Sequence, residues 1–405
     1  MDIRSKMRPS FAALQGGLFS KVSKADVGGG FEKMRERGVT MMSWADPFFP
    51  DPSTPSHVCQ RAIELLQGGR MSHYTMPIGN AELKELFAEQ WKNRTGMELD
   101  AQRNILITPG SDSGLLYAVM PFIEQGDEVL VPDPSYPSNF LDPVLLGGVT
   151  VSVPLKKETG YHLDLEAFRQ AITPRTKMVL LTNPNNPTTT VFNRDELTQL
   201  SEIIVANDLI CVCDQAFEDS VFDDHEMVSI ATLPGMWERT LTVCSISKGM
   251  GLSGFRVGYI VADDVIMDVL FGGAVNIIGA TGTLQQEAAI AAMKEPSFIE
   301  EYTREYDYRR QYAYEKFNEV PGVKMYLPEA TFLCWVDVSE LGDSSEIAEY
   351  LIQEALVSCN DGKPYGKMGA GHLRFVLGAC GQREEMQAAI DRVCNALRKY
   401  KKTEE

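Results

Sequence analysis

Residues 178–214 read MVLLTNPNNPTTTVFNRDELTQLSEIIVANDLICVCD. An apolar run, Met178–Thr182, leads into a loop rich in Pro and Asn, then a helical pattern, then a second apolar run, Leu209–Cys213. Asn193 with Glu196 three residues on makes a capping box, and Leu197, Leu200, Ile203 and Ile204 form the apolar stripe behind it. Asn207 and Asp208 supply the turn into the second strand. Strand, helix and strand in this order are the repeating unit of a doubly wound α/β sheet lying between helices.

The same alternation runs from about residue 103 to 261. Further strands are expected at Asn104–Thr108, Glu128–Pro132, Thr150–Val153, Thr240–Cys244 and Arg256–Val261. The fold class is therefore α/β, with a large domain built on a mostly parallel mixed sheet. After about residue 300 the pattern changes to a long charged helix (Glu300–Asn318), strands at Val323–Leu327 and Phe332–Val338, a helix (Ser344–Ala355), a strand (His372–Leu377) and a last helix (Glu384–Tyr400). That describes a smaller α+β domain. The first fifty residues, punctuated by Pro and Gly around ADPFFPDPSTP, read as an irregular arm and a pocket-lining segment. The expected division is 1–50 for the arm, 51–300 for the large domain and 301–405 for the small one, with KYKKTEE as a frayed end.

Composition narrows the function. With 44% hydrophobic and 23% charged residues, and no apolar run near the ~20 residues of a membrane span, the 405-residue chain has the make-up of an ordinary soluble protein. Its 38 basic and 56 acidic side chains leave a formal charge of −18, which repels phosphate backbones and anionic lipid, so neither nucleic acid nor membrane is an expected partner. Eight cysteines without a CxxC pair and five dispersed histidines argue against a metal site and a disulfide framework alike. The start, MDIRSKMRPSFAALQGG, has no apolar signal region, and the cytoplasm is the expected compartment.

Open α/β sheets bind ligands beyond the carboxyl ends of their strands, so the loops there carry the search. Neither GxGxxG nor GxxxxGK[ST] follows a strand; Gly28–Gly30 lies outside the sheet region. After the first strand come Gly110, Ser111 and Asp112, which can cap a helix or hold a phosphate. After the fourth comes Asn183-Pro184-Asn185-Asn186-Pro187-Thr188, which alone is a turn. Asp214 ends the fifth, where a carboxylate at the mouth of an apolar strand needs a cationic partner or hydrogen bonds. The sixth runs into Ser245-Ile246-Ser247-Lys248-Gly249-Met250-Gly251-Leu252-Ser253-Gly254-Phe255-Arg256. A lone lysine is usually a surface charge, but this one follows a buried strand between serines and a glycine-rich turn. Together these residues supply an amine for a Schiff base, an anion cup of Gly110, Ser111, Ser245, Ser247 and Arg256, and an acid for a ring nitrogen. A phosphorylated pyridine aldehyde requires that set.

On these motifs, and over essentially its whole length, the chain resembles the fold-type I pyridoxal-phosphate enzymes of the aspartate aminotransferase superfamily (class I/II aminotransferases). The SxSKxxGLSGxRxGY run is the most specific of them. The resemblance implies pyridoxal 5'-phosphate as cofactor, held as a Schiff base on Lys248, which also shuttles the proton. It implies Asp214 as partner of the pyridine nitrogen, Asn186 as donor to the cofactor's phenolic oxygen, and Tyr136 as the aromatic stacked on its ring. Tyr74, in Tyr74-Thr75-Met76-Pro77, is similar to the tyrosine that reaches the phosphate of the neighbouring subunit, which implies a homodimer with shared active sites. Arg374, in His372-Leu373-Arg374-Phe375, resembles the arginine that clamps the substrate α-carboxylate.

Four positions depart from the family pattern. Phe217 replaces a tyrosine that donates to the phenolic oxygen, Thr189 replaces the glycine of NPxNPTG, Ala45 replaces a glycine near the substrate carboxylate, and Ala330 replaces a glycine before Thr-Phe of the small domain. The implied activity is transfer of an amino group between an amino acid and a 2-oxo acid. β-Elimination, β-decarboxylation and oxidation share the same residues, and a non-catalytic sensor module is the reading from another class. Trp44, Phe48 and Phe49 either line an apolar pocket or pack the arm, and the sequence does not choose the amino donor.

Overall fold

The computed structural model describes residues 4–12, 27–48 and 53–400. The expectations for residues 1–3 and 13–17 of the opening stretch, for residues 49–52, Phe49 among them, and for the tail 401–405 lie outside these residues. The strands are β1 (Thr40–Met41), β2 (Ile105–Thr108), β3 (Glu128–Asp133), β4 (Val149–Pro154), β5 (Thr176–Thr182), β6 (Ile210–Asp214) and β7 (Thr240–Ser245). They continue with β8 (Gly258–Val261), β9 (Lys324–Met325), β10 (Leu333–Asp337), β11 (Val357–Ser358), β12 (Asn360–Asp361) and β13 (His372–Val376).

The main sheet has the order β2-β8-β7-β6-β5-β3-β4. Pairing is parallel from β7 through β6, β5 and β3 to β4, while β8 lies antiparallel between β2 and β7. The carboxyl ends of β2, β5, β6 and β7 therefore share one edge. Successive side chains of β5 face opposite ways. Val179 and Leu181 pack with Leu197, Leu200 and Ile204 of the helix Arg194–Ala206, whereas Met178 and Leu180 join Leu115 and Leu270 on the other face. Each of these buried side chains is worth roughly 1.5–3 kcal/mol, and two covered faces are why the strands read as unbroken apolar runs. Both halves of the capping box at Asn193 and Glu196 are present.

β8 begins at Gly258, two residues later than expected, because Arg256 is left-handed (φ 52°) and closes the turn Ser253–Phe255. A Cβ on Gly258 would lie 2.6 Å from the carbonyl carbon of Gly110, so only glycine lets β8 pass beneath the start of the helix Ser111–Val119.

The second sheet, β12-β13-β10-β9, is antiparallel. The helices Phe298–Asn318, Ser344–Glu354 and Arg383–Leu397 close a core over it that includes Phe317, Val336, Ile347, Phe375 and Ile390. The described part of the first fifty residues is less irregular than expected. Val27–Glu36 is helical despite Gly28–Gly30, and β1 pairs in parallel with β11. The Val376 N–H donates to the Met42 carbonyl at 2.9 Å, which ties the segment 40–46 to the small sheet on its way to the site. A two-residue strand whose partner lies at the far end of the chain leaves no periodicity to read. No helix of the described residues is long and apolar enough to cross a membrane.

Candidate active site

Lys248 follows β7, and its Nζ donates to the Ala45 carbonyl at 2.5 Å. Burial lowers its pKa to about 8, against the opposing pull of Asp112 and Asp46; Arg374 and Arg256 add to the lowering. Asp214, the last residue of β6, is 5% exposed. Its Oδ1 accepts from the Ala216 N–H at 3.0 Å, and among the described residues no side chain donates to it. Burial raises its pKa to about 7, with that backbone hydrogen bond opposing. A buried carboxylate this short of hydrogen-bond donors among the described residues, with Lys248 acting on it only through its charge, is poised to accept from a cationic donor.

The anion cup is assembled from three strand ends. Gly110 (φ 84°) caps the helix Ser111–Val119, and a Cβ there would sit 2.2 Å from Arg256 Nη2. Glycine thus allows the guanidinium to approach a helix N-terminus, where bare N–H groups and a positive charge converge. Ser245 Oγ donates to Ser247 Oγ at 2.8 Å, and the Ser247 N–H donates to Ser245 Oγ at 3.0 Å. Arg256 Nη1 is anchored by donating to the Ser253 carbonyl at 2.8 Å, while Nη2 lies 3.9 Å from Asp112 Oδ2. The Tyr136 hydroxyl donates to Asp112 Oδ1 at 2.9 Å, and burial pushes its pKa upward.

Across from this cup, Arg374 Nη1 donates to Asn186 Oδ1 at 3.1 Å. With its oxygen so engaged, Asn186 keeps its amide N–H groups as donors. Asn185 and Asn139, which the sequence reading passed over, hold the surrounding loops. Asn185 Nδ2 donates to the Pro134 carbonyl at 3.1 Å, and Asn139 Nδ2 donates to Ser135 Oγ at 2.9 Å and Thr182 Oγ1 at 2.7 Å. Asp46 was also passed over; it accepts from Ser253 Oγ and so ties the arm segment to the turn after Lys248.

Phe217 is buried with Phe222, Tyr302, Tyr306 and Phe332, its ring edge-on to Phe332 at 5.4 Å and its centroid 6.0 Å from Lys248 Nζ. It forms an apolar wall and offers no donor. Thr188 does not substitute, because its hydroxyl already accepts from Asn185 Nδ2 at 2.8 Å and meets Thr190 Oγ1 at 3.0 Å. Thr189 stands at φ 68°, a left-handed backbone that disfavours a β-branched residue by about 1–2 kcal/mol. It is also buried, so its replacements separate strain from packing. Thr189→Gly loses the side chain and relieves the strain, whereas Thr189→Ala loses packing and keeps it. The glycine variant is expected to exceed the alanine variant by about 1 kcal/mol in urea unfolding, the reverse of the usual order. Alanine equal or better would show that the backbone here relaxes.

Tyr74 is not brought to this site within the chain: it is 99% exposed and lines a separate cleft with Met71 and Thr281. Trp44 and Phe48 are also exposed. The remaining expected residues, Lys248, Asp214, Asn186, Tyr136, Ser245, Ser247, Arg256, Gly110, Ser111, Asp112, Phe217, Ala45 and Arg374, lie at the strand ends or on the β1 and β13 segments that face them. Two features fit pyridoxal 5'-phosphate: the donor-poor Asp214 suits a protonated ring nitrogen, and the cup, which a Cβ on Gly110 would obstruct, suits a phosphate.

Residues 40–393 match the family profile described as aminotransferase class I and II. The chain is 32% identical over 358 residues to an aspartate aminotransferase of Pyrococcus abyssi, covering 87% of this chain and 91% of that one. It is 31% identical over 356 residues to aromatic-amino-acid aminotransferase 2 of Thermococcus litoralis, covering 87% and 90%. Among solved structures, the aspartate aminotransferase from Thermus thermophilus with maleate superposes with a TM-score of 0.85 at 26% identity, over 98% of this chain and 99% of that chain.

Proposed function

The chain belongs to the class I and II aminotransferases, which depend on pyridoxal 5'-phosphate, and from this we propose how its own residues divide the work of moving an amino group between an amino acid and a 2-oxo acid. Lys248 would hold the cofactor, and its Nζ, when free, would take the proton from the substrate Cα and deliver it to the carbon that was the cofactor's aldehyde carbon. Burial suits it to both tasks, since an amine lowered to about 8 is deprotonated in useful fraction near neutral pH. When bound, the cofactor supplies an aldehyde carbon for amine exchange and an electron-withdrawing ring. Asp214 holds a proton on the ring nitrogen, Tyr136 and the Phe217 wall bracket the pocket, and the cup of Gly110, Ser111, Ser245, Ser247 and Arg256 holds the phosphate. Arg374 receives the substrate α-carboxylate end-on, beside Asn186. The relatives named for aspartate and for aromatic amino acids share only that end of the substrate, which supports placing common recognition at Arg374.

We further propose a cytoplasmic homodimer in which Tyr74 completes the partner's site, with the chain divided into an arm at 1–50, a large domain at 51–300 and a small domain at 301–405. The observation that carries the functional reading is the pair formed by a half-buried, desolvated lysine just past the end of β7 and a donor-poor buried aspartate at the end of the adjacent β6. Borohydride reduction of the holoenzyme, followed by peptide mass spectrometry, tests it. The cofactor mass is expected on the peptide containing Lys248, and its appearance on another lysine would refute the assignment.

A further inference from the structure

We propose that Asn360 is a positioning residue for Arg374: a neutral acceptor that fixes the guanidinium in the plane that receives a substrate carboxylate without spending any of its charge. The proposal rests on the reading of Arg374 as the carboxylate anchor.

Asn360 lies in β12 directly opposite Arg374 in β13, so backbone pairing sets its place. Arg374 Nε and Nη2 both donate to Asn360 Oδ1, at 3.1 and 2.7 Å, and this occupies the side-on edge of the planar fork. The guanidinium lies against the Tyr365 ring, 5.0 Å from its centroid. The end-on edge is left, where Nη1 reaches Asn186 Oδ1 at 3.1 Å and Nη2 reaches the Ser43 carbonyl at 3.4 Å. With the side-on edge taken and a ring against its plane, rotation is blocked and one edge faces the pocket.

Every one of these acceptors is an uncharged oxygen. Arg309 and Arg310 are as deeply buried as Arg374, and each is paired with carboxylate: Arg309 with Glu305, and Arg310 with Asp223 and Asp307. Arg374, 1% exposed, has no ion pair among the described residues. Buried cations are ordinarily neutralised by a partner; Arg374, like Lys84, whose Nζ donates to the Gln102 carbonyl, is instead held by uncharged oxygens alone. An aspartate at 360 would take the same edge in the same shape but would cancel the charge before substrate arrived. The amide is therefore the chemically informative choice at this position.

The test uses the holoenzyme and 2-methylalanine, which carries an α-carboxylate but no Cα proton, so that binding is read from the cofactor's absorbance without turnover. Asn360→Asp is expected to weaken 2-methylalanine roughly a hundredfold and Asn360→Ala roughly tenfold, in line with hydrogen bonds and charge at a buried ionic group. Cofactor affinity should stay within about threefold, and the KM for a carboxylate-bearing amino donor should rise far more than kcat falls. Asn360→Asp with wild-type affinity for 2-methylalanine would overturn the proposal, as would an equal loss of cofactor affinity, which would indicate collapse of the pocket. Arg374→Lys separates this from the underlying reading. If it leaves 2-methylalanine binding unchanged, the anchor itself is misassigned; if it weakens binding while Asn360→Asp does not, only the role of Asn360 fails.

Discussion

Asp214→Asn is expected to give a folded protein that has lost about 10²–10⁴ of its transamination kcat/KM and is more stable than the wild type when cofactor-free above pH 7. The activity arm follows from charge balance. Removing one member of a buried ion pair costs about 3–5 kcal/mol, and each 1.4 kcal/mol is a factor of ten. Asparagine keeps the shape and cannot hold a proton on a ring nitrogen. The stability arm follows from linkage. Burial raises the Asp214 carboxyl from 3.8 to about 7, so between those values the folded chain binds more protons than the unfolded chain, and wild-type stability falls as pH rises through that window. The variant lacks this term. Its advantage should be absent near pH 4, grow toward pH 7 and level off above, reaching the order of a few kcal/mol. Thermal melts of both cofactor-free proteins at several pH values, with steady-state rates on the loaded enzymes, read the two arms. A variant less stable at pH 8 than at pH 4 relative to wild type would mean that Asp214 is satisfied by groups of the protein and is not held for a ligand.

That stored cost is also why the sequence is easy to read at Asp214 and hard to read elsewhere. The strands β3, β5, β6 and β7 are covered on both faces, so each appears as an apolar run, and a polar residue at its end stands out against it. Lys248, Ser245, Ser247 and Arg256 lie within one contiguous turn and could be taken together. Asn360 has no such signal: its meaning comes from its register with Arg374 across β12 and β13, and β12 is too short for a period. The same holds for Asp46, whose partner Ser253 is distant in sequence, and for β1, paired with β11. The antiparallel insertion of β8 was equally hidden, because strand direction is set by the connection and leaves no mark in composition. What resisted reading is what depends on long-range register.

Two chains that are each impaired should regain activity when mixed: Tyr74→Ala, with its lysine intact, and Lys248→Ala, with its tyrosine intact. If Tyr74 serves the neighbouring subunit, a hybrid dimer has one site with both substitutions and one with neither. Random reassociation makes half the dimers hybrid, so about a quarter of all sites are restored under two-fold symmetry. The reason to expect a shared site is the surface around Tyr74. A fully exposed tyrosine has no role in its own chain's core, and it is accompanied by Met76 at 65% exposure, Leu66 at 55% and Ile63 at 47%. On the helix Asp264–Ile277, Val265 and Val269 are four residues apart, hence on one face, and are 74% and 62% exposed. Exposed apolar side chains of this kind are what a protein partner covers, and whether a second copy of the chain is that partner is what the mixing experiment decides. The mixture should be denatured and refolded together, or incubated at low concentration to allow exchange, and its specific activity compared with the mean of the two parents treated alike. Activity well above that mean, accompanied by hybrid dimers in native mass spectrometry, is the expected result. Hybrids that form and show only the mean would place Tyr74 outside the partner's site, and a fully active monomer by light scattering would remove the shared site altogether.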